Sequence, residues 1–85
     1  MKIDELITKY IKGAQRVVQE IGQISEDVNL KDEEAKTVFD WAKHYLEDAK
    51  YYQEKEKLET SLTAVAYCEG LLDALRLLGA VDFSW

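Results

Sequence analysis

Gln53-Glu54-Lys55-Glu56-Lys57 separates two apolar patterns, and the architecture hangs on whether the chain turns there. All five are good helix formers, and no Gly, Asn or Pro among them marks a turn. Upstream, Ala35, Val38, Ala42, Tyr45, Ala49 and Tyr52 recur at spacings of three and four, which is one face of a helix. Phe39 and Leu46 border that face. Continued unbroken, it would carry Glu56, Glu59 and Thr63, a poor core, whereas Leu58, Leu62 and Val65 start a new phase. A break between 53 and 58 is therefore expected, giving a helical hairpin of about 32–53 and 58–78.

The first pattern precedes this hairpin. Ile3, Ile7, Tyr10, Ala14, Val17, Ile21 and Ile24 alternate spacings of four and three, with Leu6, Ile11 and Val18 widening the stripe. A helix over about 2–24 follows. Residues 25–31 lose the period and read as a polar connection, after which Asp32 can cap the next helix. The third pattern becomes apolar nearly all round at Leu71, Leu72, Ala74, Leu75, Leu77 and Leu78. Such a helix is central in its fold or covered by different neighbours on two sides. Gly79 suits a left-handed cap. Beyond it, Val81, Phe83 and Trp85 alternate on a tail too apolar to stay solvated, which packs on the bundle or on a second copy. The expected fold is all-α: one domain over 1–85, a three-helix up-down-up bundle with a short apolar C-terminal tail.

Composition narrows function. Eleven basic residues stand against 17 acidic ones, net −6, and cations do not cluster. Residues 1–24 hold four cations and three anions, 25–58 six and ten, and 59–85 one and four. Nucleic acid and anionic membrane are poor partners for such a chain. No stretch nears the roughly 18 uncharged apolar residues of a membrane span. MKIDELITKY, with Asp4 and Glu5, is no signal peptide. Cys68 is the single cysteine, so no intramolecular disulfide forms, and a cytoplasmic location is expected.

Tyr67-Cys68-Glu69-Gly70-Leu71-Leu72-Asp73-Ala74, followed by Leu78-Gly79, resembles the signature of the archaeal family called domain of unknown function 357. Tyr45-Leu46-Glu47-Asp48-Ala49 through Tyr52 is similar to that family's middle helix, and the likeness covers roughly 35–81. Where the family commonly carries Gly-Asp at the turn, this chain has Lys55-Glu56. The resemblance implies a short three-helix protein of an archaeal cytosol, with no assigned catalytic residues, cofactor or metal.

Chemistry-bearing groups are few. Glu69, Asp73 and Arg76 share a narrow strip beside Leu62 and Ala66, and the two carboxylates, four apart, need a cation. The structural reading is an ion network at the edge of the core with Lys43 or Lys50. The functional one is a ligand site of Tyr67, Glu69, Asp73 and Arg76, holding a hard cation or an amine. Gly70, inside the helix, reads as a helix-crossing point. Asp40, His44 and Asp48 form a row that lies opposite the apolar stripe, a weak case for a metal. Cys68 has no second His or Asn arrangement to make it a nucleophile and reads as a small hydrophobe. Trp41 and Tyr51 are candidate contact residues.

Three helical enzyme classes fail on their own motifs. The acidic quartets of a nucleotide pyrophosphohydrolase are missing, since Glu69 to Asp73 is one residue too wide. A chorismate mutase needs several cations, and only Arg16 and Arg76 are guanidinium groups. A ribonuclease of the Arg-x-x-x-x-His type needs an arginine shortly before His44. The expected function is therefore a non-catalytic interaction or accessory module. It would self-associate, as a homodimer for example, or dock a protein through Leu71, Ala74, Leu77, Leu78, Val81, Phe83 and Trp85.

Overall fold

The computed structural model describes residues 2–24 and 33–85. The expected polar connection, the Asp32 cap and the side chain of Ile24 lie outside the described part. The described residues form three helices, α1 (Ile3–Ile24), α2 (Glu33–Glu54) and α3 (Leu58–Leu77), and include no strand. Each boundary is within a residue of the one read from periodicity. Asp4 and Glu5 open α1, and Glu33 and Glu34 open α2, where carboxylates oppose the positive end of the helix dipole. The molecule measures 38 × 20 × 19 Å. A 22-residue helix is about 33 Å long, so the three lie side by side as one bundle.

The break after α2 is a three-residue turn. The Glu56 N–H donates to the Gln53 carbonyl (3.0 Å) and the Lys57 N–H to the Tyr52 carbonyl (2.9 Å). This pair of bonds is the Schellman closure, which requires a left-handed residue, and Glu56 supplies it at φ 60°. The same closure ends α3 around Gly79 at φ 77°, through Gly79 N–H to Arg76 and Ala80 N–H to Leu75. The hairpin thus turns on a residue that carries a Cβ, because the helix ends by hydrogen bonding and not by a breaker.

Ile7, Ile11, Ala14, Val17 and Ile21 of α1 meet Phe39, Ala42, Leu46 and Ala49 of α2 and Ala64, Val65, Cys68, Leu72 and Leu75 of α3. Two stripes sit differently from their sequence reading. Phe39 and Leu46 are core residues, while Ala35, Val38 and Tyr45 are only partly buried. On α1, Ile11 is inside and Ile3 is 43% exposed. A helix wedged between two neighbours buries the sector facing both, and this turns α2 away from the line of best spacing. Between α2 and α3, Ser61 Oγ donates to the Ala49 carbonyl at 2.6 Å. Gln53 ties the far end of α2 to α1, donating to Asp4 Oδ1 (3.0 Å) and Thr8 Oγ1 (2.8 Å).

The tail folds onto this bundle. Val81 and Phe83 are buried members of the core, 6% and 9% exposed. Among the described residues no helix crosses at Gly70: it is exposed, and a Cβ built there meets nothing within 4 Å.

Glu56 is the strained position. A left-handed residue with a Cβ costs on the order of 1 kcal/mol, which glycine avoids. Glu56→Gly is expected to raise unfolding stability by about 1 kcal/mol at unchanged m-value in urea. No gain would mean that the turn relaxes out of the left-handed region in solution.

Candidate functional site

Two regions gather the sequence-predicted residues, on opposite flanks of α3. The first contains Glu69, Asp73 and Arg76. The expected partners Lys43 and Lys50 do not reach it: Lys43 pairs with Asp40 (3.2 Å) and Lys50 with Glu47 (3.2 Å), both within α2. The strip instead faces α1 and the tail. Asp73 Oδ1 accepts from Trp85 Nε1 at 2.7 Å and from Arg76 Nη2 at 3.2 Å. Arg16 holds the tail from the other side, its Nη2 donating to the main-chain oxygens of Ser84 (2.8 Å) and Trp85 (2.9 Å). The Phe83 and Trp85 rings meet edge to face at 5.1 Å, and the Arg76 guanidinium stands 5.8 Å from the Phe83 ring. Asp73 is therefore the anchor of the tail, a role that the spacing of charges alone did not reveal.

Beside this latch lies an open depression of about 350 Å³, lined by Lys9, Tyr10, Gly13, Glu69, Asp73 and Trp85. Among the described residues no ion pair reaches Glu69. Its carboxyl is pushed above the ordinary carboxylate value, by burial first and by the neighbouring Asp73 charge second. Tyr67, grouped with this strip in the sequence reading, is not part of it.

Tyr67 belongs to the second region, the side of the hairpin shared by α2 and α3. Its ring stacks on Tyr45 with centroids 5.3 Å apart, Tyr45 meets Trp41 at 6.1 Å, and Trp41 meets His44 edge-on at 5.8 Å. The row continues into a groove of about 510 Å³, floored by Ala35 and Val38 of α2, by Ala74 and Leu75 of α3 and by Leu78 just past its end. Trp41, Tyr67, Leu77 and Leu78 are 53%, 60%, 76% and 82% exposed, and Trp85 is 47% exposed. Of the interface residues read from sequence, Leu77, Leu78 and Trp85 are exposed, Leu71 and Ala74 are partly buried, and Val81 and Phe83 are used inside. Tyr45 was absent from that reading. Its four-residue spacing from Trp41 was the available signal.

The remaining candidates carry little chemistry. His44 and Asp40 are exposed, Asp48 is half-buried, and no group of three His, Cys, Asp or Glu gathers among the described residues to hold a metal. Cys68 is fully buried and its thiol is pushed up to about 12, by burial first and by Glu69 second, so no thiolate is available near neutral pH. No helix among the described residues is long and apolar enough to cross a membrane.

A raised folded-state value means that the native protein favours the neutral Glu69 carboxyl. That contribution is whole below the carboxyl's unfolded value and is lost as pH climbs through the folded one. Glu69→Gln is therefore expected to raise the melting temperature near neutral pH and to change it little at about pH 3.5. Equal shifts at both pH values in thermal melts would show that charge is not the cause.

Nothing among curated proteins or solved structures matches the chain. A family model described as "Protein of unknown function (DUF357)" matches residues 9–81, from the second turn of α1 to the first buried residue of the tail, and the chain belongs to that family.

Proposed function

We propose that the protein is a non-catalytic helical interaction module that engages a protein partner, or a second copy of itself, through the outer face of α3 and the adjoining flank of α2. The observation that carries this reading is the exposure of Tyr67, Leu77 and Leu78 on a helix whose opposite side already fills the core. Covering a Leu-sized or larger side chain is worth about 1.5–3 kcal/mol each, so these residues favour a covered state. Gly70 supports the same reading. Inside a helix it costs about 1 kcal/mol relative to Ala, and nothing among the described residues packs against it. A helix approaching from outside gives it a purpose. An archaeal cytoplasm is the setting this proposal assumes, in keeping with the lone, buried Cys68.

A small-molecule or divalent-cation activity at Glu69, Asp73 and Arg76 is the weaker reading. An oxygen of Asp73 is already bonded to Trp85 and Arg76, so a ligand there competes with the tail. A thermal-shift screen with divalent cations and nucleotides separates the two, since a ligand at 100 times its Kd stabilises by about 2.7 kcal/mol.

Affinity capture of the tagged protein from native extract, beside Tyr67→Asp and Leu78→Asp, tests the reading. Both sites are exposed, so both variants are expected to fold, and a stoichiometric partner is expected to be lost from both. A partner retained by both variants, or none in any sample together with a monomeric protein, would refute it. Gly70→Ala sharpens the test: it should stabilise the isolated protein by up to about 1 kcal/mol while weakening capture.

A further inference from the structure

We propose that the outer face of the α2–α3 hairpin seats a fourth helix, supplied by a partner whose apolar stripe is flanked by lysine or arginine. The inference rests on the interaction reading above and names the occupant's chemistry.

Shape is the first argument. Along α2, Trp41, Tyr45, Asp48 and Tyr52 recur at spacings of four, three and four; along α3, Glu59, Thr63, Tyr67, Gly70, Ala74 and Leu78 do likewise. The Tyr45–Tyr67 stack at 5.3 Å and the shared groove near Ala74 and Leu78 show that the two rows adjoin along much of the hairpin. The seam between two packed helices is the natural bed for another, and Gly70 lets a foreign backbone come close. α1 takes the other side, where Gln53 binds Asp4 and Thr8 and where the Glu69–Asp73 flank meets Lys9, Tyr10 and Gly13.

Charge selects the occupant. The ionised groups on these two rows, Asp48 and Glu59, are both acidic. Within the hairpin Lys43 is engaged by Asp40 and the Phe39 ring, Lys50 by Glu47 and Arg76 by Asp73, and residues 33–78 as a whole hold six cations against ten anions. Residues 59–85 hold one cation against four anions, and the whole chain is net −6. A second copy would bring carboxylates against carboxylates, whereas a basic amphipathic helix opposes them and is steered toward this face.

The test uses the whole chain and two synthetic helical peptides of equal length and apolar stripe, one flanked by lysines and its twin by glutamates. Binding is read by fluorescence anisotropy at physiological salt. The lysine peptide is expected to bind one to one, roughly tenfold or more tighter than its twin, and to lose roughly tenfold in affinity with Leu78→Asp or Tyr67→Asp. Both substitutions add negative charge, so a merely general attraction for a basic peptide would tighten instead. Equal binding of the twins, or lysine-peptide binding unmoved by Leu78→Asp, overturns the proposal. If neither peptide binds and sedimentation gives a dimer dispersed by Leu78→Asp, the cationic helix is refuted and the interaction reading stands on self-association. If neither binds and the protein stays monomeric, the proposal also falls, and affinity capture alone decides the broader reading.

Discussion

The hydrogen bond from Ser61 Oγ to the Ala49 carbonyl, 2.6 Å long and out of contact with water, marks the seam on which the bundle is built. Ala42 and Ala49 of α2 and Ala64 and Cys68 of α3 are small residues and buried as well. A hydroxyl buried without a partner would cost about 1–3 kcal/mol, so this serine is tolerated only while α2 lies close. α3 itself begins without a side-chain cap, at Lys57. Its start is set by the Schellman turn and by this seam, not by a local signal.

The hairpin joined at this seam has two faces. One is covered by α1, whose Ile7, Ile11, Val17 and Ile21 complete the core, and the C-terminal tail adds Val81 and Phe83. The latch of Arg16, Asp73 and Trp85 pins that tail and gives the Asp73 carboxylate its donor. The other face carries the aromatic row and the exposed leucines at the end of α3. Since the C-terminal half of α3 is apolar on both sides, its uneven covering is the feature of the chain that most needs a function.

Much of this was legible in the sequence and some was not, for identifiable reasons. Helix number and limits followed from spacing, since a stripe of large apolar groups in α1 and α2 has few other readings. The break near Glu56 was found only because continuing the stripe would have buried acids; the left-handed glutamate has no composition signal of its own. The seam was missed because hydropathy gives weight to large residues, so Leu58 and Leu62 drew attention while Ser61, Ala64 and Cys68 formed the buried line with Val65. Gly70 was read as a helix-crossing point, yet no described residue approaches it, because a sequence shows that space is wanted and not who fills it. The same limit applied to Asp73, whose need for a partner was plain while Trp85, which donates to it, lay 12 residues beyond.

Hydroxyl-radical footprinting of the purified protein across a dilution series tests the two-faced hairpin most directly, because it reads side-chain exposure residue by residue. Trp41, Tyr67, Leu77 and Leu78 should be modified rapidly in dilute protein, with Phe39, Val81 and Phe83 protected throughout. Protection of the first group even at the lowest concentration, or rapid modification of Phe83, would contradict a bundle that buries its tail and leaves the outer face of α2 and α3 open.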